Sequence, residues 1–367
     1  MKIAFDNQIF TKQSYGGISR IFANTAVELE QLGVGVRIIG GFHINNYLKE
    51  LPKSITSGKY IESYPKRSLR VFNQLNKAWS SLEANKFKPD IIHETYFSFD
   101  SPIKKKKPVV VSVYDMIQEI FPQLFPEYEL TTPEKKASLE RADHIISISE
   151  HTKNDLVNLF GIQPDKISVV HLAADTLSQA TANDYKEPER PFFLYVGGRR
   201  GYKNFKSLLR AFASSELLVK DFDIIAFGGM PFEKEEVELF HELGLNENKV
   251  RHESGADSYL AFLYSKAFAF IYPSLYEGFG IPPLEAMVNH CPVISSNTSS
   301  MPEVIGDAAL FFDPREKEEM KNQMERLVLD SKLRQDLIKK GLSRSENFSW
   351  KKTAMETNKV YQKVLAS

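Results

Sequence analysis

The chain has 367 residues, 42% of them hydrophobic and 26% charged, with 47 basic residues balanced by 47 acidic ones. That length suits two domains rather than one, and the absence of net charge offers no electrostatic case for nucleic acid. A single cysteine, Cys291, excludes an internal disulfide and a thiolate metal cage, and no apolar run reaches the roughly 18 residues that a membrane span needs. The opening MKIAFDNQIF reads as a strand rather than a secretory leader. A soluble, cytoplasmic protein is expected.

In chain order, short β-branched runs at 3–5, 36–39, 91–93, 109–113, 144–148 and 167–171 read as buried strands, with helical patterns at 18–32 and 152–160. Strands spaced by helices predict parallel βαβ units and a doubly wound sheet. Residues 49–107 carry thirteen Lys or Arg against six Asp or Glu, with Leu69, Val71, Phe72, Leu75 and Trp79 interleaved but no clean amphipathic stripe. The rhythm breaks at the polar stretch DTLSQATANDYKEPER, so 176–190 is expected to be a linker after a first domain spanning 1–175. A second series then runs to residue 348. Its strands fall at 192–196, 224–227, 268–272, 293–295 and 309–312, and its helices at 206–214, 259–265, 283–289, 302–305 and 316–341. An amphipathic segment, 349–365, closes the chain. The expected fold class is α/β, with two Rossmann-like doubly wound domains, whose ligands bind beyond the carboxyl ends of the strands in the crevice they face.

The segment richest in chemistry is 272–289, YPSLYEGFGIPPLEAMVN. A strand end, a loop with Gly278 and Gly280, and Pro282–Pro283 opening a helix together predict free N–H groups and a positive dipole end, a natural seat for phosphate. Gly280 allows close backbone approach to a ligand. Glu277 on the loop and Glu285 in the first helical turn are placed to accept vicinal hydroxyls of a sugar. Upstream, Arg199 and Lys203 lie on a loop after a strand, where two cations offset charge building on a departing diphosphate. Asn204 is read as the N-cap of the next helix. The triplet Asp221-Phe-Asp223 precedes a strand and is expected to serve a turn. With no other carboxylate or histidine cluster, neither metal nor cofactor is expected.

Glu277-Gly-Phe-Gly-Ile-Pro-Pro-Leu-Glu285 resembles the E-x7-E motif of family-four (group 1) glycosyltransferases, retaining enzymes of the GT-B architecture. Further segments resemble that family in order: Gly16-Gly17-Ile18-Ser19-Arg20, FLYVGGRRGYKNF at 193–205, SISEHTKNDL at 147–156 and the final Phe348-Ser349-Trp350 helix. Within the family, the opening and the YVGGRR-x-YKNF run look most like mannosyltransferases of bacterial surface-polysaccharide assembly. The resemblance implies an acceptor domain, 1–175, onto which a helix at 349–367 packs back, and a nucleotide-sugar donor domain, 191–348. It implies that Glu285 holds the ribose, that Glu277 and the backbone at Gly278, Phe279, Gly280 and Ile281 hold the transferred sugar, and that Arg199 (favoured over Arg200) and Lys203 face the diphosphate. Gly16 and Gly17 would also border the donor. In the segment VSVYDMIQE, Asp115 is a candidate catalytic residue, preceded by Tyr114 where the family commonly has a histidine near the reacting centre. A tyrosine there does not titrate near neutral pH, and His93 is the other histidine candidate, read first as structural.

The implied activity is transfer of a hexose, mannose favoured, from GDP-mannose or a UDP-hexose to a glycan or lipid-linked glycan, with retention and no metal. The leaving diphosphate would itself deprotonate the incoming hydroxyl. The basic stretch suggests peripheral contact with anionic membrane. A non-catalytic sugar-nucleotide-binding partner of an assembly system is the alternative. A nicotinamide oxidoreductase is disfavoured, since the first strand leads to an extended loop ending in Gly16-Gly17 instead of G-x-G-x-x-G.

Overall fold

The computed structural model describes residues 1–103, 106–126, 131–174, 185–199 and 201–366. Asp175 and most of the expected linker (176–184), Arg200, and Lys104 and Lys105 of the basic run lie outside the described residues. The chain forms two compact units, one of Met1–Leu172 with Trp350–Ser367 and one of Ala173–Ser349.

The first unit is built on β1 (Lys2–Phe5), β2 (Gly35–His43), β3 (Thr56–Tyr60), β4 (Ile91–Glu94), β5 (Val109–Val113), β6 (His144–Ser147) and β7 (Ile167–Val169). These pair in parallel in the order β3-β2-β1-β4-β5-β6-β7, with Ile3 opposite Val36 and Ile91. The inner strands are β-branched runs buried on both faces, which is why they are legible in the sequence. The edge strand β3, TSGKY, is not, because a polar edge strand carries no apolar run.

The longest helix of this unit, Leu69–Phe87, is poorly legible in the sequence because both of its faces are mixed. Asn76, Ser80 and Ala84 are buried and Trp79 and Phe87 pack partly buried against the core, whereas Leu69, Val71, Leu75 and Leu82 are exposed. Asn76 is tolerated inside because its Oδ1 accepts the Phe42 N–H at 2.7 Å and its Nδ2 donates to the Phe42 carbonyl at 3.2 Å. The C-terminal helix Trp350–Ala366 packs on the helix Gly17–Gln31, burying Ala354, Thr357, Val360 and Tyr361.

The second unit contains β8 (Phe192–Val196), β9 (Asp223–Phe227), β10 (Val250–Glu253), β11 (Ala269–Tyr272), β12 (Val293–Ser296) and β13 (Ala309–Phe312), all parallel in the order β10-β9-β8-β11-β12-β13. An aromatic core that includes Phe193, Tyr195, Phe205, Phe212 and Phe240 fills its interior. The single helix expected over 316–341 is two, Lys317–Leu329 and Ser331–Ser345, because the Asp330 side chain accepts the Leu333 N–H at 2.9 Å and starts a new helix.

The fold class is α/β, two doubly wound parallel sheets. In each sheet the order of winding reverses once, between β1 and β4 in the first and between β8 and β11 in the second. Open α/β sheets bind ligands at such reversals, beyond the carboxyl ends of the strands.

Candidate active site

The reversal of the second sheet brings together two of the residues singled out from sequence. Lys203 follows β8 and Glu277 follows β11, and Lys203 Nζ lies 2.7 Å from Glu277 Oε1. Both side chains are largely removed from water, so the pair holds opposite charges where their attraction is strong. Tyr272, the last residue of β11, hydrogen-bonds the Glu277 carboxylate, and burial followed by that negative charge pushes its phenol well above the usual range. It stays protonated and donates.

The loop bearing Glu277 is fastened from the segment after β12. Ser299 Oγ accepts the Glu277 N–H at 2.9 Å, and Ser300 Oγ donates to the carbonyls of Glu277 and Phe279 at 2.9 and 2.8 Å. Thr298 Oγ1 donates to the Leu275 carbonyl at 3.0 Å. Sequence reasoning misses these hydroxyls, because NTSS after a strand reads as an ordinary turn.

Gly280 precedes the helix Ile281–Val288 with φ of +119°, a backbone conformation glycine favours, and a Cβ there would meet Met301 Cε at 2.8 Å. The helix begins at Ile281, with Pro282 and Pro283 in its opening turn. Glu285 is therefore its fifth residue, just past the first turn expected from sequence. It is buried and receives a hydrogen bond from Tyr264, whose phenol is raised by burial and then by the Glu285 charge. Each carboxylate of the pair thus has its own buried tyrosine.

Arg199, expected to face a diphosphate, pairs in this structure with Glu236, its guanidinium reaching the carboxylate through Nε at 2.6 Å and Nη2 at 3.1 Å. Its Nη2 also donates to the carbonyls of Met230 and Pro231, and it stacks 4.8 Å from the Phe232 ring centroid. This bidentate pair braces the β8 and β9 loops against the helix Lys234–Glu242. Asn204 is a correction. It occupies the N-cap position of the helix Phe205–Ala213, but with φ of +58° and no side-chain cap bond. Its Nδ2 instead ties the carbonyls of Pro273 and Pro314 at 3.1 and 2.8 Å. Beside Arg199 opens a cavity of ≈680 Å³ lined by Gly198, Gly229, Met230, Glu233, Glu235 and Glu236.

Asp223, of the D-x-D triplet, begins β9, at the amino end of the sheet. It lies within 4.0 Å of Arg190, Lys249 and Arg251, an ion cluster rather than a metal cradle. Asp221 ends the helix Glu216–Asp221.

In the first unit, Gly16 and Gly17 open the helix Gly17–Gln31, and a Cβ on Gly16 would come within 2.1 Å of Gln13 Oε1, which accepts the Ser19 N–H. Asp115 follows β5 and its carboxylate accepts the Ile117 N–H at 3.1 Å. Tyr114 is turned inward. It hydrogen-bonds Ser112, whose Oγ is 2.9 Å from His93 Nε2, and His93 Nδ1 is 2.6 Å from the Tyr361 hydroxyl of the C-terminal helix. Burial lowers the His93 pKa to about 3 and raises that of Tyr114, so neither titrates near neutral pH. His93 is structural, and the tyrosine in place of the family's histidine belongs to the core.

Among the described residues no group of three or more His, Cys, Asp or Glu could hold a metal ion, and no helix is long and apolar enough to cross a membrane.

The family model for glycosyl transferases group 1 matches residues 179–344, and that for glycosyltransferase family 4 matches residues 15–178. The chain is 28% identical to the O-antigen chain mannosyltransferase B of Escherichia coli over 82% of this chain and 80% of that protein. It is 29% identical to the serotype-specific mannosyltransferase WbdA of Escherichia coli over 60% of this chain, but spans only 29% of that longer protein. The fold matches sucrose-phosphate synthase from Thermosynechococcus elongatus at a TM-score of 0.79, with 18% identity, 100% of this chain and 99% of the other covered. It also matches the Anabaena protein HepE in complex with UDP-glucose at 0.74, with 16% identity, 99% of this chain and 100% of the other covered. The fold is GT-B, and the chain belongs to the glycosyltransferases of family 4 and group 1.

Proposed function

We propose that the chain transfers a hexose, mannose by preference, from a nucleotide sugar to a glycan or lipid-linked glycan with retention at the anomeric carbon, in the synthesis of a bacterial surface polysaccharide. The observation that carries this reading is the Lys203–Glu277 pair, 2.7 Å apart at the reversal of the second sheet. In the free protein the two charges satisfy each other. A nucleoside diphosphate entering there competes for the ammonium, and the released carboxylate accepts hydroxyls of the transferred sugar. Glu285 takes the ribose hydroxyls. The similarity to O-antigen mannosyltransferases supports mannose, and the E-x7-E resemblance supports retention.

The donor's base would lie in the cavity beside Arg199, which Glu233, Glu235, Asn204 and Lys206 line. GDP-mannose is favoured over a UDP-hexose by the similarity to O-antigen mannosyltransferases. In the reaction, the bond from C1 to the diphosphate oxygen breaks as the acceptor oxygen bonds to C1 on the same face, and the acceptor proton passes to the departing diphosphate. Lys203 stabilises the charge that builds there, and Arg199 keeps the neighbouring loops in place. No metal or other cofactor is assigned a role.

The test is incubation with GDP-mannose and UDP-hexoses against an oligosaccharide acceptor, reading nucleoside diphosphate release and the anomeric configuration of the product by NMR. Release that never depends on acceptor, or an inverted product, overturns the reading. A non-catalytic sugar-nucleotide binder would bind the nucleotide and turn over nothing.

A second reading concerns location, a cytoplasmic enzyme working at the inner face of the membrane. The exposed residues Leu69, Val71, Leu75 and Leu82 lie on one helix with Arg70, Lys77 and Lys86, and Lys66 and Lys88 lie close by in the chain. Apolar side chains flanked by cations suit an anionic bilayer, each nearby cation adding about 1 kcal/mol. Co-sedimentation with anionic vesicles at low salt, lost near ~0.5 M where screening is nearly complete, supports this. No pelleting at low salt removes it.

A further inference from the structure

The helix Thr131–Arg141 has a polar inner face that neither the donor chemistry nor an apolar core accounts for. Lys135, Ser138 and Arg141 recur at intervals of three and so share one side of it. Lys135 and Ser138 are buried, and Arg141 reaches the buried Glu94. We infer that Lys135 is a positioning residue for the transfer reaction, acting through Asp115 by holding the loop after β5 in one arrangement. This rests on the transferase reading, with Asp115 as its candidate catalytic carboxylate in the first unit.

The contacts of Lys135 are concentrated on that loop. An ammonium has three N–H donors, and three acceptors lie within its reach, all in the segment Asp115–Glu119. Nζ donates to the Asp115 carbonyl at 3.1 Å and to Glu119 Oε2 at 2.7 Å, with Met116 Sδ at 3.9 Å. Thr132, one turn earlier on the same helix, donates its hydroxyl to Glu119 Oε1 at 2.9 Å. Both carboxylate oxygens of Glu119 are therefore engaged from this helix. Asp115 is held at two points, its carbonyl by Lys135 and its carboxylate by the Ile117 N–H at 3.1 Å. A carboxylate fixed in this way before reaction loses little freedom when it acts.

The choice of a lysine is informative. The side chains of Lys135 and Glu119 are 2% and 6% exposed. Two charges so far from water are costly to desolvate, and apolar residues of similar volume often stabilise a core as well as a buried ion pair does. Stability alone is thus a poor reason for an ammonium here. What it adds over a methionine is direction, with donors aimed at chosen atoms of one loop. The neighbouring loop, after β4, is served by the same helix. Nζ lies 5.3 Å from the Phe97 ring centroid, and Arg141 donates to Glu94 Oε2 and to the Ser98 carbonyl, each at 2.6 Å. One helix thereby fixes the loops at the carboxyl ends of β4 and β5, the end at which parallel sheets present their functional groups.

The test is a double-mutant cycle on the full chain. Lys135→Met together with Glu119→Gln removes both charges, so that no buried charge is left unpaired, and circular dichroism checks the fold. Turnover is read at saturating oligosaccharide acceptor and GDP-mannose, or the UDP-hexose that supports turnover, in the Asp115 chain and in Asp115→Asn. In the Asp115 chain the charge-free pair should lower kcat by about 10- to 100-fold, the cost of a small misplacement, with GDP affinity unchanged by calorimetry. In the Asp115→Asn background the same pair should cost less than about twofold, because its effect has already been lost. Exchange of the Ile117 amide, read by NMR, should quicken as the loop loosens. A kcat loss of equal size in both backgrounds overturns the proposal, since Lys135 then only props the domain. Unchanged kcat in the folded variant, full turnover by Asp115→Asn, or unaltered Ile117 protection overturns it too. An unaltered chain that transfers no sugar fails the transferase reading itself, and the proposal falls with it. Turnover with an additive cycle fails the proposal alone.

Discussion

The two sheets wind alike and differ in what they hold where the winding reverses. In the second unit the reversal is charged and narrowly fixed, with Lys203 against Glu277, a loop pinned by Ser299 and Ser300, and left-handed Gly280. In the first unit it is amide-rich and open, with Asp6 buried beneath a cavity bordered by Asn7, Asn73 and Gln74. One topology therefore carries two differently built reversals, and side chains set the chemistry each can receive. The charged one, with free N–H groups at a helix start, is where the proposed diphosphate site lies.

The sharpest way to test the charged half is to separate its two cations. Arg199→Ala strips Glu236 of its partner in a site where both side chains are mostly buried. Breaking such a pair costs about 3–5 kcal/mol, so urea denaturation should show a strongly destabilised chain whose folded fraction still turns over. Full stability with lost turnover would return Arg199 to the diphosphate. Lys203→Ala likewise leaves a largely buried carboxylate, Glu277, without its partner, so the denaturation midpoint should fall too. Here, however, turnover of the folded fraction should also drop about 100-fold or more. Near-normal rates in the folded variant would sever the reversal of the second sheet from catalysis.

Glu285→Gln is a milder probe of the same half. A ribose contact is equally present before and during reaction, so donor affinity should drop about tenfold with kcat nearly unchanged. Calorimetry showing unaltered affinity for GDP would leave Glu285 as a partner for Tyr264 alone.

The first unit is tested through its pH dependence. Burial holds His93 near a pKa of about 3 against its ordinary 6.5, and His43 and His144 are lowered to about 4 by the same cause. A histidine kept neutral by folding stabilises the chain above pH 6.5, and that contribution is lost as pH falls, by about 1.4 kcal/mol per pH unit for a fully buried ring. Asp6 works the other way. Its carboxyl is pushed up to about 6 by burial and then by Glu94, so it favours the fold below 3.8 and loses that as pH rises through 6. Comparing His93→Gln with the unaltered chain cancels Asp6 and the other histidines. The difference in denaturation free energy between pH 6.5 and 5 should shrink by about 2 kcal/mol. Parallel pH profiles would mean His93 is already charged when folded.

Much of the molecule is readable in its residues, and the failures have physical causes. Buried parallel strands are apolar throughout, so β1, β5, β8 and β13 stand out, and EGFG-x-PP-x-E marks the loop and helix start that carry Glu277 and Glu285. The helix Leu69–Phe87 does not stand out, because Asn76, bonded to Phe42, and Ser80 interrupt its inward face of Phe72, Trp79 and Phe87 while Leu69, Val71, Leu75 and Leu82 face water. The partner of Arg199 is not legible either, because Glu236 lies 37 residues away on another helix. Spacing places a cation at a strand end, but only the fold reveals what neutralises it. The floor beneath the first cavity escapes for the same reason, since Asp6 and Thr95 are 89 positions apart.

The smallest effect expected is none at all, from removing divalent metal. Asp223 is the buried member of the D-x-D triplet, and it starts β9 at the end of the sheet opposite Lys203 and Glu277. Arg190, Lys249 and Arg251 all lie within 4.0 Å of it, so a divalent cation would have to displace positive charge to bind. Lys203 already supplies a cation where the diphosphate is proposed to leave. Turnover in EDTA should therefore equal turnover in Mg²⁺ or Mn²⁺. Asp223→Asn should lower stability by leaving three cations without their counter-charge, and leave kcat unchanged. Activity that vanishes on chelation and returns with Mg²⁺ would show that a metal shares the neutralising role proposed for Lys203, and the charged reversal would then need a ligand set that the described residues do not supply.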